Sequence, residues 1–133
     1  MNLASTANAY KNQQIMTASP EELTLMLYNG ALKFMAESIQ AIEEKKFEKA
    51  HETNIRSQNI IREFMVTLDM QYELSHNLYE IYDYIHRSLI EANLKKDAAK
   101  LKEVRDLLRE LRDAWAEAMK QAKQDRAGAA VGK

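Results

Sequence analysis

The chain has 133 residues, 46% hydrophobic and 29% charged, with a net charge of −1 and no cysteine. That length and apolar share support one domain with a core of its own, and the missing thiols exclude disulfides, thiolate metal sites and a Cys nucleophile. The near-zero charge includes no basic block to neutralise phosphates, so no nucleic-acid partner is expected.

Three Gly and one Pro leave almost no turn material in the interior, and such a chain reads as nearly all helix. Residues 1–17 carry one charge, Lys11, and a weak apolar pattern of Leu3, Ala7, Tyr10 and Ile15. This segment is expected to be a mobile arm. It has neither the basic start nor the apolar run of a secretory signal, and no apolar stretch in the chain approaches the roughly 20 residues of a membrane span. The expected compartment is the cytoplasm, without membrane insertion.

Ser19-Pro20-Glu21-Glu22 is a strong helix start: an N-cap serine, a proline at the first helical position and a glutamate completing a capping box. It predicts helix 1 over about Pro20 to Glu44. Helix 2 follows the polar link Glu43-Glu44-Lys45-Lys46, from Phe47 to Leu68, with Phe47, Ala50, Asn54, Ser57, Ile61, Phe64 and Leu68 on one stripe. Helix 3 runs from Glu73 to Leu94 on Leu74, Leu78, Ile81, Tyr82, Ile85, Leu89 and Ala92. Asp97 caps helix 4, which runs to about Gln124 on Leu101, Val104, Leu108, Leu111, Trp115, Ala118 and Ala122. Four such helices joined by short polar loops predict an all-α, antiparallel up-down-up-down four-helix bundle. Its divisions are an arm over 1–17, the bundle over 18–125 and a disordered tail over 126–133.

Helix 1 is apolar on more sides than one bundle seam requires. Leu23, Met26, Leu27, Ala31 and Phe34 form one face, and Leu25, Tyr28, Leu32, Met35, Ile39 and Ile42 continue around it. Helix 3 has a milder excess, in which Tyr79 and Ile90, with His86 between them, form a second strip. Exposing a few hundred Å² of such surface costs several kcal/mol at about 25 cal/mol per Å². Either helix 1 is the most buried helix, or a partner covers the surplus: the arm, a second copy of the chain, or a foreign amphipathic helix. Asn54, Ser57 and Gln58 near the seam of helix 2 read either as a register-setting polar layer or as contacts to a bound segment. Tyr28, Tyr79, Tyr82 and Tyr84 are equally at home at an interface and at a bundle edge.

Two Glu-x-x-His stretches, Glu48 to His51 and Glu73 to His76, have the form of bundle di-metal ligands. They lie near the starts of antiparallel helices 2 and 3, roughly 30 Å apart, and neither falls on its helix's core stripe. No metal or other cofactor is expected. His51 and His86 lack the surroundings of a phospho-accepting histidine, and no nucleophile set or Gly-rich loop is visible, so the chain is not expected to be an enzyme.

The run Tyr10…Thr17-Ala18-Ser19-Pro20-Glu21-Glu22-Leu23…Met26-Leu27-Tyr28-Asn29-Gly30-Ala31-Leu32 resembles the start of the flagellin-specific secretion chaperone family, FliS. Asn59-Ile60-Ile61…Leu68, Leu78-Tyr79…Tyr82-Asp83-Tyr84-Ile85…Arg87…Leu89…Ala92-Asn93 and Arg112-Asp113-Ala114-Trp115 extend the resemblance over residues 10 to about 119. It implies a cytoplasmic chaperone that binds the disordered C-terminal segment of flagellin 1:1 in apolar grooves. It further implies prevention of premature polymerisation, delivery to the flagellar type III export apparatus, and an arm that covers part of the groove and helps docking at the export gate, with Tyr10 at the corresponding position. The expected groove lies between helices 2 and 3 and the flank of helix 1. Its residues are Ile60, Met65, Leu68, Tyr79, Tyr82 and Ile90 with Tyr28 and Met35, any of which could instead be core. The alternative function is a self-associating structural helical bundle.

Overall fold

A computed structural model describes residues 17–131. Among them are four helices: α1 (Pro20–Glu43), α2 (Phe47–Thr67), α3 (Glu73–Lys95) and α4 (Ala98–Val131). The expected all-α bundle is what forms. α1 packs against α2 and α4, and α3 packs against the same two.

Local chemistry sets the ends. Ser19 Oγ accepts from the Glu22 amide at 3.1 Å, with Pro20 and two acidic residues in the first turn, where the helix dipole favours them. α1 and α3 are followed by Lys45 (φ 62°) and Lys96 (φ 50°), both left-handed, which turns the chain sharply within short links. The Asp97 carboxylate then accepts from the Lys100 amide at 3.1 Å and starts α4. α4 continues to Val131, beyond the expected end near Gln124. Residues 125–131 contain three alanines, no proline and one glycine, so helix propensity alone is enough to extend it.

Cross-helix pairs fix the antiparallel order. Along α1 and α2 the pairs are Ser38 with Ala50, Ala31 with Ser57, and Tyr28 with Phe64. Along α2 and α3 they are His51 with Asn93, Asn54 with Leu89, and Phe64 with Tyr82. Glu43 with Lys102, Asn29 with Arg112, and Glu21 with Trp115 do the same for α1 and α4. In each series one number rises as the other falls.

The α1–α2 seam is built from small residues. Ala31, Ser38, Ala41, Ala50 and Ser57 are all buried, which lets the two backbones approach. The Ser38 hydroxyl donates to the Ala50 carbonyl at 2.8 Å and the Ser57 hydroxyl to the Ala31 carbonyl at 3.3 Å. Asn54 Nδ2 donates to the Leu89 carbonyl at 3.1 Å while its Oδ1 accepts from Gln58 Nε2 at 2.7 Å. Asn54, Ser57 and Gln58 are therefore the polar layer of the core, of the kind that favours one register over its neighbours. Large side chains fill the rest: Met35, Ile61, Ile85, Leu89, Leu101, Val104 and Leu108. Leu74 and Phe47, expected on core stripes, are 67% and 49% exposed. Each sits at the start of its helix, where a neighbour no longer covers the stripe.

Gly30 lies inside α1, and a Cβ there would meet Ile60 Cδ1 at 3.6 Å, an ordinary contact. Nothing in the packing requires glycine. Gly30→Ala is expected to raise stability by about 0.5–1 kcal/mol through helix propensity, read as a higher urea midpoint at unchanged slope.

Candidate functional site

Most of the apolar surplus of α1 is covered. Tyr28, Ala31, Met35 and Ile39 are buried, and Leu25, Met26, Leu27, Leu32, Phe34 and Ile42 are half-buried. The α1 half of the surplus thus follows the simpler of the two readings, the most buried helix. Most of what stays uncovered lies on α3 and around the α2–α3 link, where Val66, Met70, Tyr72, Leu74, Tyr79, Ile90 and Leu94 are exposed; Leu23 on α1 and Phe47 at the start of α2 are exposed as well.

Of the residues expected in a groove, Tyr28, Met35 and Tyr82 belong to the core, at 4%, 0% and 4% exposure. Tyr28 and Tyr82 share a buried hydroxyl–hydroxyl hydrogen bond, and both rings pack on Phe64, with centroids 4.6 and 5.4 Å away. Burial raises the pKa of both phenols, so the pair stays protonated. These side chains are core and offer no area of their own to a partner. Ile60, Met65 and Leu68 are half-buried against the core. Tyr79 and Ile90 are exposed. Tyr10 lies outside the described residues.

The edge where α2 meets α3 brings the exposed members together. His51 contacts Asn93, and Arg62 acts electrostatically on His86, which fixes the flank of α2 that faces α3. Ile55 lies four residues after His51 and Met65 three after Arg62, so both share this flank. On α3, Tyr79, Asp83, His86, Ile90 and Leu94 follow at three- and four-residue steps, one strip roughly 22 Å long at 1.5 Å per residue. The result is an amphipathic edge: Tyr79 with Met65 toward one end, Ile90 with Ile55 toward the other, and Arg62, Asp83 and His86 between them. Shallow depressions of about 240 Å³ and 300 Å³ flank it on α2, the first including His51 and Ile55, the second Arg62 and Val66. Larger concavities lie elsewhere, about 650 Å³ between α1 and α2 and about 820 Å³ between the start of α1 and the end of α4. The walls of these two are mostly charged side chains, whereas a further concavity of about 410 Å³ at the start of α1 is lined by Thr17, Ala18, Glu22, Leu25 and Met26. Sequence reasoning missed Ile55 and Arg62. The signal was present in the 3–4 spacing of Ile55, Gln58, Arg62 and Met65, one step around α2 from the core stripe.

The two Glu-x-x-His stretches serve structure. His51 Nδ1 meets Asn93 Nδ2 at 2.9 Å, and His76 Nε2 meets the Met70 carbonyl at 2.9 Å. Among the described residues no cluster of three or more His, Cys, Asp or Glu could hold a metal, and no helix is long and apolar enough to cross a membrane.

Four antiparallel helices around a hydrogen-bonded polar layer define the class of all-α helical bundles. The profile of the family described as "Flagellar protein FliS" matches residues 3–122, and the chain belongs to that family. A relative from Bacillus subtilis (strain 168), named flagellar secretion chaperone FliS, is 43% identical over 128 residues, 96% of each chain. One of the same name from Campylobacter jejuni is 33% identical over 112 residues, 83% of this chain and 88% of its own. The solved structure described as a crystal structure of flagellar chaperone from bacteria superposes with a TM-score of 0.71 at 18% identity, covering 87% of this chain and 98% of that one. The relatives are named as chaperones, not as enzymes.

Proposed function

We propose that this chain is a cytoplasmic export chaperone for flagellin. It binds the disordered C-terminal segment of flagellin 1:1, shields that segment's apolar stripes from premature polymerisation, and delivers it to the flagellar type III export apparatus. The segment folds into helix along the α2–α3 edge, with Tyr79 and Ile90 as exposed anchors and Ile60, Met65 and Leu68 as half-buried flanks. The core residues Tyr28, Met35 and Tyr82 hold that edge in shape. Tyr10 and the arm take part in docking at the export gate.

The observation that carries this reading is the uncovered strip on α3, where Tyr79 and Ile90 remain 40% and 38% exposed and Leu94 81%. An amphipathic helix laid along it removes that surface from water. Its helical order is acquired on binding at a cost of several kcal/mol, so the contact must be long rather than deep. No nucleotide is needed, since holding is binding and release is handover.

The test is a titration of the full chain with the C-terminal segment of flagellin, recording helicity and heat. The expected result is a 1:1 stoichiometry, a gain in helical signal beyond the sum of the parts, and a rise in the thermal midpoint with segment concentration. A stable dimer in light scattering that excludes the segment would instead support the self-associating bundle.

A further inference from the structure

We propose that the chain pairs end to end with a second copy of itself, the α2–α3 tip of each copy seated in the notch between the start of α1 and the projecting end of α4 of the other. The contact lies at one end of the bundle and involves no client, so it goes beyond the functional reading and is tested apart from it. Ile90 and Leu94, roughly 25 Å and 31 Å along α3 from its start at 1.5 Å per residue, stay clear of it.

The end of α4 is a helix without a neighbour. Trp115 meets Glu21 in the first turn of α1, and α4 then runs on to Val131, roughly 24 Å further. Every residue from Lys120 to Ala129 is exposed. A helical stretch this short is marginal in water without packing, so a surface laid against it stabilises it. Its cations are also unmatched. Lys100, Lys102, Arg105, Arg109 and Arg112, earlier in the same helix, each meet a carboxylate. Lys120, Lys123 and Arg126 meet none among the described residues. All three line the concavity of about 820 Å³ beside the start of α1, with Met119 and Ala122 as its apolar part.

The α2–α3 tip has the opposite character. Val66, Met70, Tyr72 and Leu74 are all exposed around the link. Between Arg62 and Arg87 the sequence has five carboxylates, Glu63, Asp69, Glu73, Glu80 and Asp83, and no Lys or Arg. Asp83 is engaged by Arg87 at 3.0 Å. Glu63, Asp69, Glu73 and Glu80 have no ion pair among the described residues. Apolar area inside an acidic field calls for a partner that supplies both apolar area and cations, and the notch supplies both.

The two surfaces cannot satisfy each other within one chain. α4 packs between α1 and α3 and so stands diagonal to α2, and its free end projects away from the tip. Both surfaces lie at the same end of the bundle, since α1 starts, α2 ends and α3 starts there. A two-fold axis across the bundle therefore faces the tip of one copy to the notch of the other twice over, an isologous contact that closes on itself. The same charges oppose the competing arrangement, in which two projecting helix ends pair with each other and set cation against cation.

The experiment is sedimentation equilibrium of the full chain without flagellin, from about 5 to about 200 μM. A reversible dimer is expected, with a dissociation constant on the order of tens of micromolar that weakens about fivefold or more between about 0.05 and 0.5 M salt. Two variants reverse one surface each: Lys120→Glu with Lys123→Glu and Arg126→Glu on the helix end, and Glu63→Lys with Glu73→Lys on the tip. Each alone should be monomeric, because its own two surfaces now carry like charges. Mixed in equal amounts they should form a heterodimer, because both contacts between them are again of opposite sign. That recovery also shows that both variants are folded. A wild-type chain that stays monomeric throughout overturns the pairing and leaves the tip to another occupant. A dimer that neither variant disturbs, or two monomeric variants that do not combine, overturns it as well.

Discussion

Met35→Ala is expected to destabilise the chain by about 2–5 kcal/mol, the range for a fully buried large-to-small change. Met35 has no exposed surface and sits in the core with Ile39, Ile61 and Leu89. The substitution removes roughly three methylene-sized groups at about 0.8 kcal/mol each, and the close α1–α2 approach limits how far the site can collapse, so a cavity term adds to that. For a domain of this size, a loss of about 3 kcal/mol lowers the thermal midpoint by roughly 10 °C. Urea denaturation gives the free energy directly. Client affinity, measured at a temperature where the variant is folded, should stay within about twofold of wild type. A large loss of affinity in a fully folded Met35→Ala chain would mean that the side chain turns outward to meet the client.

Tyr79→Glu combined with Ile90→Asp should have the opposite profile. Both positions are exposed, so the free chain loses little stability. In the complex, each carboxylate would be set against an apolar face of the client, and the desolvation is uncompensated. At about 1.4 kcal/mol per factor of ten, the loss of two anchors predicts weakening of about 100-fold or more. Isothermal titration measures this, with far-ultraviolet circular dichroism to confirm an unchanged helix content. Retained affinity in a folded double variant would place the client elsewhere on the bundle.

The architecture was legible in the sequence because helix signals are local. The Ser19 cap, the Asp97 cap and the 3–4 stripes fix four helices to within a residue or so, except at the end of α4. There the chain has no stop signal, and alanine-rich sequence extended the helix. The exposed edge was only half legible. Periodicity identifies an apolar face but not the neighbour that covers it, so Tyr28, Met35 and Tyr82 were indistinguishable from surface anchors. Whether an aromatic on a second face is sealed or free depends on how closely two backbones approach, and that was set by Ala31, Ala50 and Ser57 on other turns. Leu74 failed for the same reason in reverse, since its stripe runs past the end of its neighbours.

The order of the seams bears on how the chain assembles during synthesis. Three of the four contacts, α1–α2, α2–α3 and α3–α4, join consecutive hairpins, and only α1–α4 spans the length of the domain. Loop closure for the first three is short, so most of the core can form as the polypeptide emerges, in the order it is made. The remaining step is the return of the last helix to the first, sealed where the Trp115 indole donates to the Glu21 carbonyl at 3.1 Å. The α2–α3 pair is thus expected to form before the last helix docks on the first.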